Sequence, residues 1–434
     1  MARHARSVPD YVPRIADREL ARRLASAGAV VIEGPRVCGK TTTARQAASS
    51  ELLVDADPSV AEAMAVDPRL LLEGPTPRLI DEWQVEPAIW NYIRRAVDDR
   101  PGKGHFILTG SAVPPDDITR HTGAGRMSRL RLRPMSLFEL GGAKAPVPRE
   151  RAGGRISLKR LLRGEPAPSL KHELSLDEIA ELLCVGGWPG HLRGRSAEDA
   201  MVANRDYLDE VCRTDVRRVD GIARDPERVR RFLDSIARNT ATCATVATMA
   251  EDAGGSDVLL SNETARSYLR ALERLMVVEH QRPWAPHLRS RSRMRNTPKR
   301  HFVDPSLAVA ALGAGPEHLL RDLRWMGFLF ESMVVRDLRV YAQATRATVY
   351  HYRDNTGLEV DAIVDGGPDR WAAFEIKLGA GRIEGAAQAL LKFADRVDPE
   401  RTGEPATLGV ITGSPYGYRR PDGVSVIPIG ALGP

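Results

Sequence analysis

The chain has 434 residues, which is longer than one ordinary hydrophobic core allows and predicts two to four domains. Hydrophobic residues make up 42% of the sequence and charged residues 28%, proportions that are ordinary for a globular protein and exclude a disordered one. The N-terminal residues are polar, and no apolar run is long enough to span a bilayer. We therefore expect a globular cytoplasmic protein with no signal peptide and no membrane contact.

The cysteine spacing bears on zinc sites and disulfides, and the net charge bears on the partners of the protein. Its four cysteines are widely separated, which argues against a zinc site or a disulfide framework. The net charge of +6 and the isoelectric point near 9.2 favour acidic partners, nucleic acid first, although the excess is modest for a chain of this size. Of the 63 basic residues eight are lysines, which leaves 63 − 8 = 55 arginines. A GC-rich genome and a nucleic-acid surface, which arginine suits through its bidentate fork, would both produce this skew.

The N-terminal third of the sequence alternates short apolar runs with helical patterns. The apolar runs predict strands over residues 29–33, 52–55, 78–81 and 105–109. The periodic segments between them predict helices over residues 42–49, 60–65 and 88–99. Strands that alternate with helices form a parallel sheet covered on both faces. The predicted fold class of this part is therefore α/β with a parallel sheet.

A phosphate-binding loop follows the first predicted strand. Its glycine, lysine and hydroxyl residues have Walker A spacing, and the candidate nucleotide-binding residues are Gly34, Pro35, Arg36, Val37, Cys38, Gly39, Lys40, Thr41 and Thr42. Glycines let backbone N–H groups point at the phosphates, Lys40 reaches the β and γ oxygens, and the Thr41 hydroxyl binds Mg²⁺. The helix that follows adds its positive N-terminal end. The sequence therefore predicts a site for ATP and Mg²⁺.

Two adjacent carboxylates come at the end of the third predicted strand. Asp81 ends this strand and Glu82 follows it, so both are expected at the carboxyl edge of the sheet, beside the phosphates. This is the Walker B arrangement, in which Asp81 holds the metal through water and Glu82 orients and deprotonates the attacking water. At the end of the next strand, Thr109 or Ser111 is placed to sense the γ-phosphate.

Several of these segments together resemble one family. The loop is joined by Ile80-Asp-Glu-Trp-Gln84, by Leu108-Thr-Gly-Ser111, and by Gly125-Arg126 before Pro134-Met-Ser136 and Glu139. This set is similar to the AAA-type ATPases of bacteria and archaea that carry a C-terminal nuclease-like domain of unassigned function, and the resemblance covers the chain from residue 15 to its end. Cys38 stands where the family usually has valine or a similar small residue, and it contributes only backbone to phosphate binding. Arg126 is expected to be an arginine that stabilises charge during ATP hydrolysis.

The middle of the chain has weaker signals. Residues 140–170 are rich in glycine, proline and arginine, which predicts an insertion or lid. Helices are predicted over 202–216 and 225–239, and a helix-turn-helix over 245–253 and 261–275, in which Ser261 caps the second helix. The resemblance implies a wing of strands 276–280 and 300–303, whose connecting loop holds Arg289, Arg291, Arg293 and Arg295. DNA contact through this loop, a solvated basic loop and a protein-interaction module all stay open.

The last hundred residues contain a second candidate site. Strands are predicted over 357–364 and 371–378, and alternation places Glu375 and Lys377 on one strand face. An Asp, here Asp361, followed by Glu-x-Lys on the next strand resembles the PD-(D/E)XK nucleases. In that arrangement Asp361 and Glu375 hold Mg²⁺, and Lys377 assists the attacking water. The same resemblance places Glu331 and Gln388 as accessory residues.

These observations predict four parts and leave two functional classes open. The parts are a P-loop AAA-type ATPase core (1–139), an insertion with a helical lid (140–240), a winged-helix-like region (241–315) and a restriction-endonuclease-like α/β domain (316–434). In the first class the protein is an ATP-regulated enzyme that acts on DNA. In the second it is a nucleotide-dependent switch whose C-terminal modules only bind a protein or nucleic-acid partner. An oligomer is compatible with both classes.

Overall fold

The computed structural model describes residues 3–4, 11–110, 122–141, 156–172, 174–192, 196–219, 221–254, 260–285, 297–368 and 370–434. The chain divides into two compact units. Unit 1 contains residues 1–134, 215–223 and 274–276, and unit 2 contains residues 135–214, 224–273 and 277–434. The division into four parts made from the sequence is finer than this and stays a prediction.

Both units contain helices and strands. Within the described residues the α-helices are α1 (Ile15–Ser26), α2 (Lys40–Ala47), α3 (Ser59–Val66), α4 (Ile89–Asp99), α5 (Leu137–Gly141), α6 (Leu158–Leu161), α7 (Leu176–Val185), α8 (Ala197–Glu210), α9 (Val216–Arg218), α10 (Pro226–Arg238), α11 (Val246–Gly254), α12 (Asn262–Arg274), α13 (Pro305–Ala311), α14 (Pro316–Arg321), α15 (Leu323–Thr345), α16 (Ile383–Ala394) and α17 (Pro399–Thr402). The strands are β1 (Arg3–His4), β2 (Ala29–Glu33), β3 (Ser50–Leu53), β4 (Arg78–Asp81), β5 (Phe106–Gly110), β6 (Met127–Arg131), β7 (Ile156–Ser157), β8 (Leu170–Lys171), β9 (Val278–Gln281), β10 (Lys299–Phe302), β11 (Thr348–Arg353), β12 (Glu359–Asp365), β13 (Trp371–Lys377), β14 (Thr407–Thr412), β15 (Tyr416–Arg419), β16 (Ser425–Pro428) and β17 (Leu432–Gly433).

Unit 1 is built around a six-stranded sheet in the order β1-β3-β4-β5-β2-β6. All its strands run parallel except the edge strand β1. The central strands β2, β4 and β5 are buried along almost their whole length, as expected of parallel strands covered on both faces. On α4, Ile89 and Ile93 are fully buried in the core beside the sheet. The predicted parallel α/β fold is confirmed, and its predicted strands and helices begin and end within two residues of the observed ones.

Unit 2 contains a seven-stranded sheet in the order β11-β12-β13-β14-β16-β15-β8. Strands β11, β12 and β13 pair antiparallel, whereas β14 is parallel to both β13 and β16. The long helix α15 precedes β11, and α16 connects β13 to β14, because a parallel pair needs a crossover connection. Trp284, Trp371 and Phe393 pack ring against ring in its core.

The described part of the expected insertion adds strands to unit 2. Strand β8 pairs antiparallel with β15, at the edge of the seven-stranded sheet, and β7 pairs in parallel with β17. Within residues 156–172, β7 and β8 therefore pair with strands from the C-terminal part of the chain, and the insertion or lid expected over residues 140–170 stays a prediction. Residues 142–155, which carry much of the glycine- and proline-rich composition, lie outside the described residues.

Helices α11 and α12 are followed by the antiparallel pair of β9 and β10. Ser261 caps α12, since its hydroxyl oxygen accepts a hydrogen bond from the Thr264 backbone N–H at 3.1 Å. The side chains predicted to face the core are all buried, namely Tyr268, Leu269, Leu272 and Leu275. The arginine-rich segment between the two strands, with Arg289, Arg291, Arg293 and Arg295, lies outside the described residues.

A buried ion network joins several segments of unit 2. The guanidinium of Arg336 lies 2.7 Å from Asp304 Oδ2 and 2.8 Å from Asp337 Oδ1. Asp304 also accepts a hydrogen bond from the Gly187 N–H, and Asp337 accepts one from the Leu137 N–H, both at 3.0 Å. Buried charges are tolerated when they are paired and hydrogen-bonded in this way. No helix in the described ranges combines the length and apolarity needed to cross a bilayer.

Candidate functional site

The phosphate loop connects β2 to α2 and depends on two left-handed backbone positions. Val37 has φ 55°, and Gly39, which precedes α2, has φ 98°. A glycine adopts that conformation without strain. Gly34 is required for close approach, because a Cβ there would lie 2.3 Å from the Leu132 carbonyl oxygen. The glycine spacing in the sequence thus has a direct structural cause.

The side chain of Lys40, the first residue of α2, turns back toward the phosphate loop. Its ammonium donates hydrogen bonds to the carbonyl oxygens of Gly34, at 3.1 Å, and Pro35, at 2.8 Å. The side chain is buried, so its charge is concentrated inside the loop, where the effective dielectric is low. Thr41 and Thr42 form the first turn of α2. This is the arrangement expected of a loop that receives phosphate oxygens.

Hydroxyl and carboxylate oxygens meet beside the loop. The Thr41 hydroxyl donates to Asp81 Oδ1 at 2.9 Å, and the buried Thr109 hydroxyl donates to the same oxygen. Burial raises the pKa of Asp81, although the hydrogen bonds from Thr109 and Thr41 oppose the shift. Hard oxygen ligands of this type suit Mg²⁺. The residues present therefore fit the predicted metal.

Glu82 has a strained backbone at the end of β4. Its φ is 52°, which is uncommon for a residue other than glycine and is often associated with functional sites. The amide of Gln84 donates to the Glu82 carboxylate. Gly110 leaves room for Gln84, since a Cβ at position 110 would lie 2.3 Å from the Gln84 Oε1. Gln84 thus orients the candidate base, a role that its position in the sequence did not reveal.

Two further contacts hold the phosphate loop from outside. Arg14 donates to the carbonyl oxygens of Cys38, at 3.1 Å, and Arg133, at 2.7 Å. Arg36 forms an ion pair at 3.0 Å with Asp215, whose side chain is buried. Arg14 and Asp215 belong to no recognisable motif and are far from the loop in sequence. The side chain of Cys38 is completely buried, which is consistent with a small hydrophobic residue.

Arg126 is not brought to the loop. It precedes β6, and its carbonyl oxygen accepts a hydrogen bond from the N–H of Ala29, the first residue of β2. It therefore lies at the amino edge of the sheet, opposite to the phosphate loop, and its guanidinium donates to Asp98 at 2.6 Å. This position contradicts a charge-stabilising role for Arg126 at the loop of its own chain. Ser111, the other residue predicted beside Thr109, lies outside the described residues.

In unit 2 the predicted C-terminal residues do converge. The ammonium of Lys377 lies 2.8 Å from Asp361 Oδ2 and 2.6 Å from Glu375 Oε2. Asp361 also accepts a hydrogen bond from the Ile376 backbone N–H at 2.9 Å. Gln388, by contrast, is exposed on α16 and donates to Glu384. The side chains of β12 and β13 therefore form the cluster without the accessory role expected of Gln388.

A lysine that was not predicted completes this cluster. Lys299 lies 2.7 Å from Glu331, 2.7 Å from Glu359 and 3.2 Å from Asp361, measured from its ammonium nitrogen. Burial raises the pKa of Glu331 to about 8, against the opposing effect of Lys299. Burial would also raise the pKa of Asp361, but the ammonium groups of Lys299 and Lys377 outweigh it and hold that pKa well below its usual range.

The carboxyl groups of the cluster are paired with ammonium groups. Burial, and then the charge of Asp361, raises the pKa of Glu375 to about 8. Among the described residues, no group of three or more His, Cys, Asp or Glu side chains is arranged to hold a metal ion. Asp361 is paired with the ammonium groups of Lys299 and Lys377, and Glu375 with that of Lys377. The expectation that Asp361 and Glu375 bind Mg²⁺ stays a prediction.

Comparison with known protein families indicates which kind of domain the N-terminal part of the chain contains. Residues 26–141 match the family model described as an AAA domain, and residues 176–318 and 326–432 match two domains of unknown function, DUF8612 and DUF4143. With the phosphate loop and the parallel sheet, this match supports a P-loop ATPase domain in the N-terminal part of the chain.

Individual similar proteins are also known. The uncharacterized proteins Rv2008c of Mycobacterium tuberculosis and Mb2031c of Mycobacterium bovis are each 26% identical to the chain over 356 residues, which cover 81% of this chain and 71% of theirs. Among solved structures, the Walker-type ATPase paby2304 of Pyrococcus abyssi has a TM-score of 0.41 and 12% identity, with 71% of this chain and 98% of that chain covered. A similarity of this size supports no conclusion about function.

Proposed function

We propose that this protein binds and hydrolyses ATP with Mg²⁺ at the phosphate loop of unit 1. One observation carries the proposal, the meeting of the Thr41 and Thr109 hydroxyls on one oxygen of Asp81. These residues come from α2, β5 and β4, which are separate elements at one sheet edge. The AAA-domain match over residues 26–141 supports the same assignment.

Each residue of the site has a distinct part in this proposal. Lys40 and the backbone N–H groups of the loop bind the β- and γ-phosphates, which the positive end of α2 also favours. Thr41 and Asp81 would hold Mg²⁺, which neutralises phosphate charge when bound. Glu82, oriented by Gln84, accepts the proton of the attacking water. Arg126 has no part in this scheme.

The experiment is phosphate release from ATP by the full-length protein. We expect turnover with Mg²⁺ and none with excess chelator. Asp81→Asn keeps the oxygen that accepts the two threonine hydrogen bonds but removes the charge, so it should abolish turnover without unfolding the protein. Asp99→Asn, at the exposed end of α4, is the matched control and should behave as wild type. Equal turnover of Asp81→Asn and wild type would refute the proposal.

We also propose that unit 2 has a nuclease-like fold that binds DNA under the control of the nucleotide. The order α15, β11, β12, β13, α16, β14 supports this, because it brings Asp361, Glu375 and Lys377 to one point. The excess of arginine over lysine supports a phosphate-rich partner. The two ammonium groups among the carboxylates favour binding over metal-dependent cutting.

Fluorescence anisotropy with labelled single- and double-stranded DNA tests this second proposal. We expect binding that weakens steeply with salt, because phosphate contacts release counterions, and that differs between ATP-bound and nucleotide-free protein. Absence of binding to both DNA forms would leave a protein partner as the alternative. A parallel cleavage assay with Mg²⁺ uses Lys377→Ala as its control. Cleavage by wild type that this variant loses would favour a DNA-processing enzyme instead.

A further inference from the structure

A buried lysine lies at the centre of the carboxylate cluster in unit 2. Lys299 is the first residue of β10, and its side chain is only 2% exposed. The charged end of the side chain is therefore withdrawn from water together with its stem. A buried ammonium is tolerated only when it is paired and hydrogen-bonded. The groups around it consequently form a cation site that the chain fills with its own side chain.

Three carboxyl groups surround the three N–H donors of this ammonium. The nitrogen of Lys299 lies 2.7 Å from Glu331 Oε1, 2.7 Å from Glu359 Oε1 and 3.2 Å from Asp361 Oδ1. An ammonium has three N–H donors and no acceptor, so three acceptors saturate it. Glu359 and Asp361 alternate along β12 and share one strand face, while Glu331 comes from α15. The three ligands thus converge from two rigid elements.

The second oxygen of Asp361 is also engaged. It accepts hydrogen bonds from the Ile376 N–H at 2.9 Å and from Lys377 at 2.8 Å, and Lys377 contacts Glu375 at 2.6 Å. Mg²⁺ demands near-octahedral oxygen ligands at about 2.0–2.1 Å. An ion bound to Asp361 would replace these donors and lie beside two ammonium groups of its own sign. A divalent cation therefore does not fit while Lys299 is in place.

We propose that the Lys299 ammonium fills the cation site formed by Glu331, Glu359 and Asp361 and, through the shared carboxylate of Asp361, takes the place of a divalent cation in this nuclease-like site. The inference rests on the proposed nuclease-like fold of unit 2 and makes its role specific. An ammonium balances the carboxylates, but it cannot bind a water molecule as a Lewis acid and lower its pKa. Unit 2 therefore keeps the carboxylate arrangement of a metal-dependent nuclease, and it binds its partner without cutting it.

The test is Mn²⁺ binding to the full-length, nucleotide-free protein, measured by electron paramagnetic resonance of free Mn²⁺. Lys299→Met removes the charge and keeps an unbranched side chain of similar length. We expect this variant to bind one more Mn²⁺ per chain than wild type, at least about tenfold more tightly than any wild-type site. Adding Asp361→Asn to it should remove that ion. Lys392→Met, which changes a lysine on α16 outside the cluster, is the matched control and should bind as wild type.

Two results would overturn the inference. One is a folded Lys299→Met protein, checked by circular dichroism, that gains no Mn²⁺. The other is a Mn²⁺ ion bound by wild type and lost in Glu375→Gln, since the inference requires these two proteins to bind Mn²⁺ equally. The second comparison decides the matter if Lys299→Met does not fold. Because no nucleotide is present and the phosphate loop is unchanged in every variant, a failure of the proposed ATPase would not alter either result.

Discussion

Replacing Lys40 by alanine is expected to remove most of the affinity for ATP. Lys40 is buried in the phosphate loop, where its ammonium is held by the carbonyl oxygens of Gly34 and Pro35. A bound triphosphate would bring two charged oxygens to this ammonium, and hydrogen bonds to charged groups contribute about 1.5–3 kcal/mol each. Giving up two carbonyl contacts offsets part of this gain, which leaves roughly 2–4 kcal/mol.

At about 1.4 kcal/mol for each factor of ten, this loss corresponds to roughly a 30- to 700-fold higher Kd. Isothermal titration with ATP and Mg²⁺ measures it directly. Lys103→Ala is the matched control, because Lys103 is exposed and precedes β5 at the opposite edge of the sheet. Circular dichroism establishes that both variants are folded. Equal ATP affinity for wild type and Lys40→Ala would refute the assignment of the loop.

Three further predictions address the candidate base, the metal ligand and the fold. Glu82→Gln should retain ATP binding but release phosphate at least about tenfold more slowly, a barrier increase of about 1.4 kcal/mol, and unchanged turnover would show that Glu82 is not the base. Burial raises the pKa of Asp81, so its contribution to stability is present below the unfolded-state pKa and is lost as the pH rises through the folded-state pKa. Asp81→Asn should therefore raise the Tm at pH 7, and a lower Tm would contradict this reasoning. Arg336→Met leaves Asp304 and Asp337 buried without their partner, so urea unfolding should show a loss of about 3–5 kcal/mol, and a loss below about 1 kcal/mol would contradict the importance of the network.

Local patterns in the sequence were sufficient to predict the phosphate loop and the sheet around it. The loop residues are consecutive, so their spacing alone carries the backbone geometry that Gly34 and Gly39 permit. The central strands contain short apolar runs over residues 29–32, 79–80 and 106–108, because both faces of the sheet are buried, and such runs can be recognised without knowing the neighbouring strands. Asp81 could be placed at a strand end for the same reason. The order of strands in the sheet then brings it to Thr41 and Thr109.

Only the tertiary structure revealed which side chains are paired in the carboxylate cluster of unit 2. Asp361, Glu375 and Lys377 could be assigned from two neighbouring strands, but Lys299 is separated from Asp361 by 62 positions and belongs to no motif. Arg126 was misplaced for a related reason, since its position in the sequence gave no information about the sheet edge on which it lies. Strand and loop identity depend on local periodicity, whereas the pairing of buried charges depends on the packing of distant segments.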